Sequence, residues 1–295
     1  MAVSGFSDYP KRVPVRLSKL PLPEITIFAV AALLVPCLQA TGTEKIFKLK
    51  PSGEIRRADF RCLSFSKRPP SAVLVLCPGQ NGDGADFLAD GRWKTFAKDH
   101  NLAILIPGFV SGDEDLKSGR GYFAASRGAG KMLLEALKQA GWSDVPLLLY
   151  GFSGGAHFTI SFAAWSPGKV LGFCAYSFGW WNPPPGNLRC PALIACGQFD
   201  AVRYGSSFAY FQAGRRQGSP WTWASIEAQE HDRCPKLDAF VREYFQSLLH
   251  SPLEDQVTVD NVRKSLMKRT ACDPLTTSVL PSETILESWR ALHHP

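Results

Sequence analysis

The sequence predicts an α/β protein in which a mostly parallel sheet is covered by helices on both faces. Continuously apolar runs, which suit strands buried on both sides, alternate along the chain with stretches of helical spacing. No internal repeat or low-complexity tract interrupts this alternation, so one domain of strands and crossover helices is expected. The apolar runs are residues 71–77, 102–106, 145–150, 170–175 and 192–196.

The remaining elements follow from local spacing. Residues 44–50 and 57–66 alternate apolar and polar side chains, as half-buried antiparallel strands do, and a Pro-Ser-Gly turn separates them. Residues 221–228 complete a sheet of about eight strands. Helices are predicted at residues 87–99, 122–140, 201–217 and 237–249, and residues 110–121 are predicted to form a polar connection. Together these elements define a domain over residues 41–250.

Residues 251–295 lie beyond this pattern. We expect a helical extension there, with short helices at residues 259–268 and 282–293, the second capped by Ser282. The extension shows no recognisable chemistry. Packing across an edge of the sheet and contact with a partner are both open.

Composition limits the classes of function. An apolar fraction of 45% over 295 residues is ample for a large core. The net charge of +7 is spread along the chain, without a basic stripe interleaved with aromatic residues. Nucleic-acid binding is therefore not expected.

The N-terminal residues 1–40 have the pattern of a targeting segment. Basic residues precede the apolar stretch 25–35, which is too short to span a bilayer comfortably, and small residues follow it. We expect a signal peptide cleaved near Ala40, an exported (periplasmic or extracellular) protein and no stable membrane association. The alternative is an uncleaved anchor that tethers the protein to a membrane.

The eight cysteines do not form a metal-binding pattern, and neither a metal ion nor another cofactor is expected. Cys77, Cys174 and Cys196 lie in apolar runs, where cysteine is usually a small buried hydrophobic residue. An oxidising compartment would allow disulfides. A Cys196–Cys234 disulfide is the candidate, because these residues flank the two loops that carry the candidate acid and base described below.

The chemistry is expected around residues 145–158. An apolar strand meets Gly151-Phe152-Ser153-Gly154-Gly155, and a helix-compatible stretch follows at once. This is the strand–turn–helix context of a nucleophile elbow, in which glycines relieve the crowding of a sharp turn. The motif is common enough to occur by chance, so its significance depends on the partners of Ser153.

A serine nucleophile needs a base, and a histidine base needs an acid. His231 directly follows an apolar strand and opens a loop, which makes it the candidate base. Asp200 lies in the turn between the strand 192–196 and the next helix, and it is the candidate acid. Capping the N-terminus of that helix is its alternative role. Glu227 is the reserve acid. The other histidines are at positions 100, 157, 250, 293 and 294.

Together, Cys77-Pro-Gly-Gln80, the Ser153 pentapeptide, Gly197-Gln-Phe-Asp-Ala-Val202 and His231 resemble the α/β-hydrolase superfamily. Within it, the chain resembles exported polyhydroxybutyrate depolymerases, feruloyl esterases and dienelactone-hydrolase-like esterases. It departs from many relatives at Pro78, where histidine is common, at Gly154, where alanine is common, and at Arg203, where proline is common.

The resemblance implies the α/β-hydrolase fold and ester hydrolysis through an acyl-enzyme. Ser153 would attack the carbonyl, His231 would accept its proton, and Asp200 would orient the imidazole. The backbone N–H groups of Gly154 and Gln80 would hold the oxyanion, although the loop at Gln80 could equally be an ordinary glycine-rich turn. The substrate would be a small-molecule or polymer-linked ester.

Four further residues are candidates for substrate binding. Asn81 lies in the predicted oxyanion loop, and His157 lies one turn after Ser153, where a purely structural role is the alternative. Trp180 and Trp181 follow the sixth strand, and local packing against the neighbouring prolines is their alternative.

Two rival functions stay open. A serine peptidase or an acyltransferase could use the same three residues, because pocket shape selects the leaving group. A non-catalytic protein with the same fold would bind a ligand or partner, although it would usually lack one of the three residues.

Overall fold

The computed structural model describes residues 42–179, 182–250, 253–267 and 273–293. The predicted targeting segment, residues 1–40, lies outside this part of the chain. None of the helices described is both long and apolar enough to cross a membrane.

Eight strands form one sheet in the order β1-β2-β4-β3-β5-β6-β7-β8. The pairs β1–β2 and β2–β4 are antiparallel and the other pairs are parallel, so the predicted mostly parallel sheet is confirmed. The strands are Thr43–Leu49 (β1), Ile55–Ser64 (β2), Ala72–Cys77 (β3), Leu102–Ser111 (β4), Leu147–Phe152 (β5), Val170–Tyr176 (β6), Ala192–Gly197 (β7) and Trp221–Ile226 (β8).

Helices cover both faces of this sheet. Along β3, Val73 and Val75 belong to one hydrophobic cluster while Leu74 and Leu76 belong to another, so both faces of the strand are buried. The helices are Ala85–Ala89 (α1), Gly91–Asp99 (α2), Asp113–Lys117 (α3), Ala129–Gln139 (α4), Gly154–Trp165 (α5), Ala201–Arg216 (α6), Pro235–His250 (α7) and Leu286–Ala291 (α8). Residues of α4, α5 and α6 pack in the first cluster, and residues of α2, α7 and α8 pack in the second.

Three predicted segments differ in detail. The predicted helix 87–99 is divided, because Asp90 is extended and its carboxylate caps α2 by accepting the N–H of Arg92. The predicted helix 122–140 begins later, at α4, since Gly128 has φ 118° and two 3₁₀ turns precede it. The predicted connection 110–121 contains α3.

The predicted helix at residues 259–268 is wrong. Val257–Asp260 (β9) and Ser265–Met267 (β10) form an antiparallel hairpin, and Thr277–Leu280 (β11) pairs with the other side of β9. The first three residues of β9 are all β-branched, which favours a strand, and the carboxylate of Asp260 accepts the N–H groups of Val262 and Arg263 to close the turn. The predicted helix 282–293 is present in shortened form, as a 3₁₀ turn followed by α8.

This C-terminal segment covers β8, the last strand of the main sheet. The hydroxyl of Ser278 accepts the N–H of Trp223 at 2.8 Å, and the indole N–H of Trp289 donates to the Trp223 carbonyl at 2.8 Å. The hydroxyl of Thr222 donates to the Val279 carbonyl at 2.5 Å. An uncovered edge strand would expose such backbone groups to pairing with other chains. The segment therefore completes the domain along this edge.

The cysteines in the described part of the chain are free thiols, so the Cys196–Cys234 disulfide is wrong. Cys77, Cys174 and Cys196 are buried, as their apolar surroundings predict. Burial raises the pKa of Cys77 to about 12 and that of Cys196 to about 11. These thiols therefore stay protonated and act as small hydrophobic residues.

Replacing Trp289 with alanine tests the contribution of the C-terminal segment to the domain. Trp289 is fully buried, and its loss leaves a cavity and an unsatisfied Trp223 carbonyl. We expect the free energy of unfolding in urea to fall by about 3–5 kcal/mol. The control, Leu266→Ala, removes a side chain from the same segment that is 41% exposed, and it should have a much smaller effect. Equal effects would show that the segment is not packed as described.

Candidate active site

Ser153 lies in the turn between β5 and α5 with a strained backbone. Its φ of 53° and ψ of −117° are rare for a residue with a side chain and cost on the order of 1–3 kcal/mol. The chain is very close to its neighbours here. A Cβ on Gly155 would lie 2.1 Å from the Cys77 carbonyl oxygen, and one on Gly151 would lie 2.4 Å from the Gly155 carbonyl oxygen. Glycine is therefore required on both sides of the serine.

His231 is brought to Ser153 by the loop that follows β8. Its Nε2 lies 2.9 Å from the Ser153 hydroxyl oxygen, and its ring stacks on Phe152 with centroids 5.1 Å apart. A hydrogen bond from β6 helps to fix this loop, because the Tyr176 hydroxyl donates to the Asp232 carbonyl at 2.7 Å. The imidazole thus has a fixed position while part of it stays open to solvent.

Asp200, in the turn after β7, completes the chain of contacts. Its Oδ2 lies 2.6 Å from His231 Nδ1, and its Oδ1 accepts a hydrogen bond from the Arg203 guanidinium at 3.1 Å. The side chain is only 2% exposed and makes no capping hydrogen bond to α6, so N-capping is not its role. Nδ1 of His231 therefore donates to a carboxylate, which leaves Nε2 free to accept the serine proton.

The loop after β3 places Gln80 against the start of α5. A Cβ on Gly154 would lie 2.8 Å from the backbone nitrogen of Gln80, so the two predicted oxyanion donors are neighbours. The same crowding explains why glycine occupies position 154. Gly154 is also the first residue of a twelve-residue helix, where backbone N–H groups lack intrahelical partners and favour negative charge.

No protein-family model matches the chain, and no curated protein matches it in sequence. Solved structures of similar fold include an S-formylglutathione hydrolase from Agrobacterium tumefaciens, with a TM-score of 0.55 at 15% identity over 70% of this chain and 95% of that one. A fluorophosphonate-binding serine hydrolase from Staphylococcus aureus gives 0.52 at 16% identity, over 71% and 99% of the two chains. An esterase from Pyrobaculum calidifontis gives 0.52 at 11% identity, over 72% and 87%. The chain has the α/β-hydrolase fold.

Within this α/β-hydrolase fold, Asn81 supports the loop that follows β3, the predicted oxyanion loop. Its φ of 57° turns the chain, its amide nitrogen donates to the Ser111 carbonyl at 3.2 Å, and its amide oxygen accepts the Ser111 N–H at 3.1 Å. The Tyr122 hydroxyl accepts the backbone N–H of Asn81 at 3.0 Å, and the side-chain amide of Gln80 donates to Asp113 at 3.1 Å. Both polar groups of the Asn81 side chain are thus engaged within the protein.

The other predicted substrate-binding residues have different outcomes. His157 is buried, with 8% exposed, and its ring stacks on Phe123 with centroids 4.6 Å apart. Burial, assisted by the positive charge of Arg203, lowers the pKa of His157 to about 3, so its imidazole is neutral at physiological pH. Trp180 and Trp181 lie outside the described residues. Among the described residues, no group of three or more His, Cys, Asp or Glu side chains is arranged to hold a metal ion.

A partly buried ionic network that the sequence did not indicate anchors the His231 loop. Arg233 forms an ion pair with the buried Asp238 and another with Asp86 at 2.7 Å, and its guanidinium lies 3.8 Å from the centre of the Phe87 ring. Asp238 also accepts the Tyr150 hydroxyl at 2.6 Å. Burial lowers the pKa of Arg233, but the two carboxylates raise it by more, so the guanidinium stays charged. The network links the histidine loop to α1 and to β5, the strand that leads into the Ser153 turn.

Substitution of Arg233 by alanine tests this anchor. It removes the direct ion-pair partner of the Asp238 carboxylate, which is only 3% exposed, and leaves Arg242 as a more distant positive charge. We expect the free energy of unfolding in urea to fall by about 3–5 kcal/mol, because an uncompensated buried charge is costly. Adding Asp238→Asn to the variant should recover part of the loss.

The matched control is Lys117→Ala, which breaks an ion pair between the exposed side chains of Lys117 and Glu114. It should leave stability nearly unchanged. If Arg233→Ala were as mild as this control, or if Asp238→Asn gave no recovery, the network would not hold the loop.

Proposed function

We propose that the protein is a serine hydrolase that cleaves carboxylic esters through an acyl-enzyme. The observation that carries this proposal is the continuous contact from Asp200 through His231 to Ser153, with separations of 2.6 and 2.9 Å. These distances lie within the reach needed for proton transfer and nucleophile activation. The similar solved structures, described as esterases and serine hydrolases, support the same reaction class.

In the first half of the reaction, the Ser153 oxygen attacks the ester carbonyl carbon while His231 Nε2 takes the hydroxyl proton. The carbonyl electrons move onto oxygen and form a tetrahedral intermediate. When this collapses, the C–O bond to the alcohol breaks, and the imidazolium returns its proton to the leaving alcohol. Asp200 stabilises the imidazolium through Nδ1 and stays ionised.

In the second half, water takes the place of the alcohol. His231 removes a proton from the water, the resulting hydroxide attacks the acyl carbon, and the proton returns to the Ser153 oxygen as the carboxylic acid is released. The partial exposure of the His231 ring, 29% of its side chain, gives water a route to the base.

The intermediate places negative charge on the former carbonyl oxygen, and the Gly154 and Gln80 N–H groups are suited to receive it. Their adjacency at the start of α5 supports this role. Donors that are already oriented need no rearrangement when the charge develops, which is why each is worth a large factor in rate. The proposed export of the enzyme depends on residues 1–40 and is an independent proposal.

The catalytic roles can be tested by steady-state kinetics with p-nitrophenyl acetate. Ser153→Ala and His231→Ala should each lower kcat by roughly 10³-fold or more, and Asp200→Asn should lower it by a similar order, because the three residues act as one unit. The control is His100→Ala, a histidine at the end of α2 that contacts His250 instead of the site. Full activity of His231→Ala would refute the assignment of the base.

A matched pair of substrates separates esterase from peptidase. We expect turnover of a p-nitrophenyl ester and much slower turnover of the p-nitroanilide with the same acyl group, since the proposed function is ester cleavage. Faster turnover of the anilide would favour a peptidase. Normal folding with no turnover of either substrate would favour the non-catalytic alternative.

A further inference from the structure

The Asp200 carboxylate has two hydrogen-bond partners among the described residues. Its Oδ2 meets Nδ1 of His231, and its Oδ1 accepts a hydrogen bond from the Arg203 guanidinium at 3.1 Å. Only 2% of the side chain is exposed, so solvent contributes little to satisfying either oxygen. A buried carboxylate oxygen without a donor is costly, and Arg203 is the donor that the fold supplies for Oδ1.

Arg203 is fixed in a position where it can hold this oxygen. It lies in the first turn of α6, three residues after Asp200, and its backbone N–H donates to the Asp200 carbonyl at 3.0 Å. The backbone and the side chain of one residue thus both bind Asp200. Many relatives have proline at this position, and proline has neither an N–H group nor a charge. The departure from those relatives therefore coincides with a contact to the candidate acid.

The helix that follows Asp200 does not itself orient the carboxylate. The N-terminus of α6, a helix of sixteen residues, favours a negative charge, but the Asp200 side chain makes no capping hydrogen bond to this helix. The attraction to the helix does not select which oxygen faces His231. The hydrogen bond from Arg203 does, because it engages Oδ1 and leaves Oδ2 for the imidazole.

Without this guanidinium, the carboxylate would have a competing arrangement. An aspartate directly before a helix commonly turns its side chain to accept an N–H group of the first turn. Such a rotation would give Oδ1 a new donor at the expense of the 2.6 Å contact between Oδ2 and His231. The imidazole would then lose the partner that holds its ring and its tautomer.

The cleft in which a substrate would reach Ser153 does not include Arg203. This cleft, of about 520 Å³, is bordered by residues 78–80 and 82–86, by Phe152 and Ser153, and by Arg233. An effect of Arg203 on the reaction would therefore act through Asp200 and His231. The binding of substrate would not depend on it directly.

We propose that Arg203 is a positioning residue for the proposed triad. It holds Asp200 so that Oδ2 faces His231, which keeps Nε2 of the imidazole directed at the Ser153 hydroxyl. This proposal rests on the proposed ester hydrolysis. Because a reacting group displaced by about 1 Å can cost roughly 100-fold in rate, the loss of Arg203 lowers kcat and leaves KM nearly unchanged.

The test compares Arg203→Ala with the control Arg290→Ala. The two side chains are 33% and 32% exposed, and each forms an ion pair with a carboxylate three residues earlier. The partner of Arg290 is Glu287, which is 80% exposed and lies in α8. With p-nitrophenyl acetate, we expect kcat of Arg203→Ala to fall roughly 10–100-fold while KM stays within about twofold. Arg290→Ala should keep both values, and thermal melting confirms that each variant folds.

Restoring the missing group separates positioning from a fold defect. Arg203→Lys keeps a positive charge without the guanidinium fork, so it should retain more of kcat than Arg203→Ala does. Because Arg203 is partly exposed, its removal leaves a space that solvent can reach. Guanidinium chloride at about 50 mM, far below denaturing concentrations, should raise kcat of Arg203→Ala several-fold relative to the same concentration of sodium chloride.

Three kinetic results would overturn the proposal. The first is a folded Arg203→Ala variant with the kcat of the wild type. The second is a change confined to KM, which would make Arg203 a substrate-binding residue. The third is a loss of kcat that neither Arg203→Lys nor guanidinium relieves, which would identify a general defect of the fold.

Proton NMR gives a readout that needs no turnover. The proton on His231 Nδ1, held in a 2.6 Å contact with Asp200, should resonate at unusually low field and be absent from His231→Ala. We expect this signal to broaden or shift in Arg203→Ala and to stay in place in Arg290→Ala. A wild type that shows the signal and its dependence on Arg203 but cleaves no ester would refute the proposed function and uphold the role of Arg203. An active wild type whose signal and kcat are unchanged by Arg203→Ala would refute that role alone.

Discussion

The close packing of the Ser153 turn against β3 is the constraint on which the rest of the site depends. A strained backbone at Ser153 persists only if the surroundings permit no alternative, and contacts as close as that of Gly155 to the Cys77 carbonyl provide this rigidity. The same packing puts the start of α5 beside the Gln80 loop, because that loop leaves β3 directly after Cys77. The candidate nucleophile and the predicted oxyanion donors are therefore positioned by one set of contacts.

The other two residues of the proposed triad reach the serine because their strands are parallel neighbours in the sheet. β7 and β8 end at the same edge, so Asp200 and the His231 loop leave side by side, with the backbone of Gly197 close to that of Gln229. Arg233 and Asp238 then connect that loop to Tyr150, inside β5. The order of the strands thus brings Asp200 and His231 to Ser153. The ionic network then holds the His231 loop in place.

Much of this was accessible from the sequence, since buried parallel strands and the G-x-S-x-G turn have strong local signals. The C-terminal hairpin was missed because its residues form strands only by pairing with one another and by covering β8, a tertiary effect. The sequence did not indicate the role of Arg233. Its partner Asp86 is far away in the chain, and its partner Asp238 belongs to no recognisable motif. Asn81 was predicted to bind substrate. Its two side-chain hydrogen bonds to the backbone of Ser111, which no sequence pattern indicates, show that it fixes the loop after β3 instead.

The most direct test of the central claim is to locate the residue that a fluorophosphonate modifies, by mass spectrometry of the digested protein. An activated serine attacks phosphorus as it attacks an ester carbonyl, so one adduct per chain is expected, on the peptide that contains Ser153. Asp200→Asn should slow its formation, because the imidazole would lose its acceptor at Nδ1. Folded wild-type protein that forms no adduct, or forms it on another residue, would contradict the account.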